Sequence, residues 1–587
     1  MFNRHNFIKD KIKLTSYYTK PSSLRQKQYE AIRAVVIDHQ TLDIAAKKFG
    51  YKSDKLYTLI RNAAQGKIEL FSIVRRGPKG RKTSLEVQDK IISLRKNRLS
   101  TIDIQQQLQK QKIELSSRTI ERILKDAGFS KLKRRTNKEL GRTNRNKIIP
   151  SRCEQINFDK LKPFNIDCPA AGAYLFLPYI IESGILNIVK KCNLPKSSSI
   201  DSTRACLSIL LLKLIGNQRL SHMDKYDHEP ALGVFAGLNI LPKSTYMNTY
   251  SCRTSEQILL TLQEELIKKF MVNFSQLYGG EFINLDFHSI PHYGEDSEME
   301  KVWCGARGKT MKGANTVFAQ DSVNNIILYT RSDILRKEEC EEVKRFVDYW
   351  KKVKGGLSET LVFDCKFTKY SVLEDLNNKG VKFITLRKRH KNLIKEALDI
   401  PKENWQRIKI AIPKRKHQNV LIHESKIILT KDKKSFRQFI IKGNGRQQPT
   451  FIITNDLVLS SKKVLEVYAK RWHIENKLSE LVSFFNLNAL SSPLMIRIHF
   501  DILWTFIADT LYHRLKRDLR RFENCNAKSI FKKFIDVPGR LVYDGKKFQI
   551  KIRKRAYTPI LKSVNKLNEP FKIPWLNNRT IEIVWTA

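Results

Sequence analysis

Apolar residues recur at helical spacing in short runs near the start of the chain, and the pattern predicts helices over residues 24–37, 42–49 and 53–62. Thr41 is placed to cap the second, Gly50 to make the turn after it, and Ser53 to cap the third. The pattern repeats between Ser84 and Phe129: a helix over 85–96, then Ser100 capping 101–111, then Ser116 opening 117–124, with Gly128 as the stop. Residues 151–278 keep a helical period. The period then changes. Apolar runs at 281–290, 316–320 and 326–331 read as strands, with a turn over 321–325. A helix over 337–351, a strand over 360–363, a helix over 369–377 and a strand over 381–386 follow. Strand patterns at 407–412, 420–429, 436–442 and 450–454 precede a helical stripe at Val464, Tyr468, Arg471, Glu475, Leu478, Val482 and Phe485.

These elements give a multidomain α and α/β chain. Expected boundaries are a first helix-turn-helix at 21–72, a basic linker at 73–83, a second helix-turn-helix at 84–130 and a basic linker at 131–150. After them come a helical domain at 151–278, a mixed sheet flanked by helices at 279–390 and 457–515, a β-rich insertion at 391–456 and a basic C-terminal region at 516–587. Three consecutive strands followed by alternating helix and strand are the order of the ribonuclease H fold. In that order the first and fourth strands are parallel neighbours, which brings Asp286 and Asp364 together. Arg471 and Glu475 interrupt an otherwise apolar stripe one turn apart. A charged pair on a core-facing stripe is costly unless compensated, which favours a functional site over the ordinary ion pair of that spacing.

Net charge changes the picture next. A formal +51, from 109 Lys+Arg against 58 Asp+Glu, calls for a polyanionic partner. No apolar stretch reaches the roughly 20 residues of a membrane span, since the run from Cys206 to Leu212 stops at Lys213, and no signal-peptide core follows Met1. Double-stranded DNA is therefore the expected partner, and two tandem helix-turn-helix patterns joined by a basic linker favour DNA reading over plain bundles. Arg76, Lys79 and Arg81 suit an extended arm along a narrow minor groove. Arg118, Arg122, Arg134 and Arg135 are expected to contact DNA, the basic runs mainly through phosphates. Nine cysteines without a C-x-x-C pair argue against a zinc ribbon and suit a reducing cytoplasm. His288 and His292, around Pro291, read as loop histidines rather than metal ligands. The polar stretch Arg219 to Asp224, with Asp227 and His228, reads as part of a helical spacer or dimerisation domain rather than a catalytic group.

Tyr468, Arg471 and Glu475 match the Tyr-x2-Arg-x3-Glu-x6-Lys signature of insertion-sequence DDE transposases. The resemblance takes in Asp286 on the first strand, Asp364 after the fourth, and a large insertion before the helix, over roughly residues 280–515. It departs at Val482, where the signature has lysine, and Lys477 lies on another side of the helix. The resemblance implies two Mg²⁺ or Mn²⁺ ions held by Asp286, Asp364 and Glu475. Ions about 4 Å apart activate the attacking oxygen and stabilise the leaving one, and hard carboxylate ligands suit them. It further implies hydrolytic cleavage at an element's end, attack of the freed 3′ hydroxyl on target DNA, Tyr468 and Arg471 near the cut, and a homodimer holding two ends. The 391–456 insertion would close over end DNA, with Trp405 either stacking on an unpaired base or packed in the insertion's own core. A cytoplasmic, nucleoid-associated bacterial protein is expected. The alternatives are a non-catalytic DNA-binding regulator derived from such an enzyme, and a metal-dependent nuclease without strand transfer.

Overall fold

The structure is a computed structural model that describes residues 15, 17–68, 70–71, 83–130, 132, 152–226, 228–294, 299–411, 417–429, 434–489 and 492–586. The chain divides into two compact units, 1–144 and 145–587.

The first unit holds two groups of three short helices. Leu24–Val36, Leu42–Phe49 and Ser53–Ala64 close over Ala31, Ala34, Ala45, Ala46, Phe49 and Leu56. Small residues let these helices approach closely. Gly50 ends the second helix at φ +64°, a left-handed conformation that glycine adopts without strain. Ser53 does not cap the third helix as expected. It is the first helical residue, and its hydroxyl donates to Asp43 on the preceding helix. Leu85–Lys96, Thr101–Lys110 and Ser117–Asp126 close over Ile91, Ile104, Leu108, Ile120, Ile123 and Leu124. Here the caps follow the sequence: Ser100 forms a capping box with Asp103, and Ser116 accepts from the Thr119 N–H at 3.2 Å.

The second unit contains two sheets. Its strands are β1 (Phe164–Cys168), β2 (Phe282–Pro291), β3 (Lys301–Cys304), β4 (Lys309–Asp321), β5 (Ile327–Arg331), β6 (Thr360–Phe363), β7 (Phe383–Leu386), β8 (Gln406–Lys409), β9 (Asn419–Ile428), β10 (Ser435–Lys442), β11 (Thr450–Thr454), β12 (Gly539–Tyr543), β13 (Phe548–Arg553), β14 (Phe571–Ile573) and β15 (Arg579–Thr586). The large sheet runs β5–β4–β2–β6–β7, with β2, β6 and β7 parallel and β4 antiparallel to β2. That is the ribonuclease H strand order. Its central strands are buried on both faces and read as apolar runs, as parallel strands covered by helices must.

The sheet does not stop at β7. Antiparallel β11, β10, β9 and β8 continue it, with Ile384 opposite Thr454 at the junction. The strand-rich insertion is thus an extension of the same sheet, held by a small core of Val362, Ile384, Ile422, Phe439 and Ile452. β1 pairs with β12 in a five-stranded sheet, so segments at the two ends of this unit share backbone hydrogen bonds. Helix Ser202–Leu214 is buried on all sides, which explains its continuous apolar run, and its Lys213 faces Asp501 at 3.6 Å. No single helix among the described residues is long and apolar enough to cross a membrane. All nine cysteines are free.

Candidate active site

The middle of β2 and the end of β6 build the floor of the site. Leu285 on β2 pairs in parallel register with Phe363, the last residue of β6, so Asp286 and Asp364 leave neighbouring strands side by side. Asp286 still lies within β2, whereas Asp364 opens the turn after β6. That turn is pinned in two ways. Phe367 stacks on Phe287 at 4.4 Å between ring centres, and the Thr368 hydroxyl donates to the Leu386 carbonyl at 2.9 Å. The Lys366 N–H closes the turn onto Asp364 Oδ1 at 2.9 Å.

The third acid arrives on a helix with a break. Helices Ser461–Lys470 and Trp472–Ser483 flank Arg471, where three-residue hydrogen bonds replace the four-residue ladder: Arg471 N–H to Tyr468 O and Ile474 N–H to Arg471 O. The tighter turn shifts the buried face. Beyond it Ile474, Lys477, Leu478 and Leu481 face the core, and Glu475 lies at the rim with its side chain 42% exposed. Of the expected core-facing stripe beyond the turn, Leu478 and Phe485 are buried and Glu475 is not. Val482 is half-buried against the main core.

Arg471 joins the acids. Its guanidinium donates to Asp286 Oδ2 at 3.0 Å and to Glu475 Oε1 at 3.0 Å. It is buried, with Nε lacking a partner and the Tyr468 ring 5.9 Å away. Burial pushes Asp286 up from 3.8 to about 6, against the pull of Arg471 and with a further push from Asp364. Burial also raises the Tyr468 hydroxyl. A cation already stands between two carboxylates here, with a third adjacent, so the donors are hard oxygens arranged around positive charge. They fit a hard divalent cation.

A second cluster lies on the other side of the same helix. Glu480, Asp509 and His513 bring their ligand atoms within 4.8 Å of one another. Lys477, fully buried, fills the centre: Nζ lies 2.6 Å from Asp509 Oδ1, 3.3 Å from Glu480 Oε2 and 2.8 Å from His513 Nε2. Burial drives His513 well below its ordinary value, and the Lys477 charge adds to that. This is a sealed ion cluster whose cation is a lysine. Lys477 is thus committed to the core and does not stand in for the lysine that the signature has at Val482.

The other residues singled out from the sequence scatter. Arg118 and Arg122 are exposed on Ser117–Asp126. Arg76, Lys79, Arg81, Arg134 and Arg135 lie outside the described residues, as does Asp227. Trp405 is half-buried against the small core of Leu393 and Ala397, its indole N–H donates to Ile400 O at 3.3 Å, and Lys442 covers its ring at 4.1 Å. It is a packing residue of the insertion. His288 is no loop residue: it lies within β2 and its Nε2 meets Asn488 Oδ1 at 2.7 Å. Sequence reasoning misses Lys366, an exposed lysine two residues past Asp364 whose Nζ lies 5.6 Å from the Phe287 ring. Its one signal is a position just after a strand-end acid.

Residues 282–511 match the family model of the transposase DDE domain. This stretch is similar to that domain. All three acids and Arg471 fall inside the matched stretch, and its first residue is the first residue of β2. No curated protein matches the chain. Among solved structures, a cryo-EM structure of a piggyBac transposase synaptic complex with hairpin DNA is similar at TM-score 0.34 and 11% identity, over 64% of this chain and 82% of that one. That likeness is too slight to bear on function.

Proposed function

We propose that the chain is a DNA transposase that cleaves phosphodiester bonds at transposon ends and transfers the freed ends to target DNA. The observation that carries this reading is the convergence of Asp286, Asp364 and Glu475 around one buried guanidinium, within the stretch similar to a DDE domain. The three carboxylates would hold two Mg²⁺ or Mn²⁺ ions. Such ions supply activation of the attacking oxygen and charge stabilisation on the leaving one.

The protein's own groups do the rest. Asp286, nearly sealed from water, offers one oxygen to the Phe287 N–H and the other to Arg471, so its orientation is fixed before DNA arrives. Arg471 neutralises the acids in the DNA-free state and is placed to turn to a phosphate beside the cut, with Tyr468 next to it. Lys366, exposed beside Asp364, takes the phosphate-gripping place that Val482 leaves empty. The first step hydrolyses one phosphodiester, water displacing a 3′ oxygen and leaving a 5′ phosphate; in the second that 3′ hydroxyl displaces a 3′ oxygen of target DNA, one phosphodiester forming as one breaks, so no outside energy source is needed. Arg118 and Arg122, with the basic linkers, would hold backbone phosphates of the ends, and two copies would hold two ends.

The test is a nicking assay on the element's own ends with Mg²⁺ or Mn²⁺, followed by supply of pre-cut ends carrying a free 3′ hydroxyl. Nicked and joined products are expected. Nicks without joining would make it a nuclease, and neither product, with DNA binding intact, would leave a regulator.

A further inference from the structure

A cavity of about 140 Å³ opens where the segment after helix Ser202–Leu214 meets the start of helix Met495–Asp518. Two guanidinium groups line it, Arg219 and Arg497, with Ser221, Asn248, Ser251 and Ser492 between them. Arg219 Nε is buried without a partner, and among the described residues its side chain makes no hydrogen bond or ion pair. Arg497 uses Nε toward Cys252 Sγ at 3.2 Å, which leaves its two terminal nitrogens for the cavity. The Ser492 hydroxyl accepts from the Leu494 N–H at 3.2 Å, so its own proton is available to donate. Asp501 also lines the cavity, but Lys213 stands 3.6 Å from it and balances its charge. The lining is thus doubly positive and rich in donors. An unpaired buried arginine nitrogen is costly, and planar donors of this kind match the oxygens of a phosphate.

Its position links it to the strand of the acidic site. Ala489 lines the cavity, and the preceding residue, Asn488, is held by His288 at 2.7 Å. His288 lies two residues from Asp286 on β2, about 7 Å along the strand. One short hydrogen-bonded link therefore connects the cavity to the strand of the acidic site. We propose that this cavity binds a backbone phosphate of the DNA that the acids cut. The proposal rests on the DNA-cleaving reading only for the identity of the anion's carrier.

The experiment uses the full chain in EDTA, so that cleavage plays no part. Inorganic phosphate is titrated and its ³¹P line width followed, with and without a short random-sequence duplex. Binding of that duplex is then measured against salt for wild type, R219Q and the R219A/R497A double variant. Arg219 has no side-chain partner to lose, so R219Q keeps the fold. Wild type should broaden the phosphate signal, duplex should reverse this, and R219Q should abolish it. The salt slope of duplex binding should fall by about one in the double variant, which loses one phosphate contact, and by up to that much in R219Q. Broadening that duplex does not reverse would make this a free-anion site and overturn the DNA assignment, and unchanged broadening and slope in R219Q would overturn the site. Normal cleavage by D286N would instead sink the function reading and leave these results standing.

Discussion

Arg471 and Lys477 lie less than two turns apart on one helical stretch, and each is a cation among carboxylates. The difference between them is access. Lys477 and Asp509 are sealed, their side chains 0% exposed, and Glu480 beside them is 11% exposed. At Arg471 one partner, Asp286, is 12% exposed and the other, Glu475, 42%. A sealed pair can be no more than internal architecture, since no ligand reaches it and the desolvated charges must satisfy one another. A pair at a rim can exchange its cation. The same sequence signal, a charge on an apolar helix, thus has two meanings that only burial separates.

Breaking the sealed cluster should have the largest effect on stability. K477M leaves Asp509 and Glu480 buried without their cation and should cost about 3–5 kcal/mol, read as a lowered thermal midpoint, while a K477M/D509L double variant recovers part of the loss. Wild-type melting of K477M would erase the distinction. At the rim the expected loss is in chemistry. R471K keeps the charge but not the two-way donation to Asp286 and Glu475, and should slow nicking by about a hundredfold with a nearly unchanged melt.

The pH dependence of the rim is set by Asp286, raised from 3.8 to about 6 by burial. For a carboxyl raised on folding, the cost of its charge is absent below about 3.8 and complete above about 6, so metal-free stability falls as pH rises through that window. A bound cation offsets this cost. Saturating Mg²⁺ should therefore stabilise the fold at pH 7.5 by on the order of 1–3 kcal/mol, read as a raised melting midpoint, and do little at pH 5, where protons compete for Asp286. D286N should show no metal response at either pH. The smallest effect is expected from E475Q on stability, below about 1 kcal/mol, because an exposed ion pair contributes little. A larger loss would place Glu475 with the sealed cluster.

The two aspartates are legible in the sequence because apolar runs announce buried strands, and a carboxylate stands out within one run, at Asp286, and just after another, at Asp364. Asp364 follows β6 as expected, and element order alone predicts the β2–β6 pairing. Three features are not legible. The tight turn at Arg471 has no glycine or proline to mark it, so a regular helical period puts Glu475 on the core face along with Leu478, which is buried there. Lys477 looks like a solvent residue because its partners, Asp509 and His513, come from a helix remote in sequence. Nothing local in β7 and β11 says that they pair, so the insertion does not read as a continuation of the sheet. Trp405 illustrates the same limit: an aromatic in a basic segment looks available until Lys442 and Ile400 are found against it.

The most direct test of the central claim is nicking of transposon-end DNA with Mg²⁺ or Mn²⁺ by wild type, D286N, D364N and E475Q at equal DNA occupancy. Wild type should nick only with metal, and each variant should lose about a thousandfold or more, the several kcal/mol that metal-held charge stabilisation supplies. Metal-dependent nicking that persists in all three variants would contradict it.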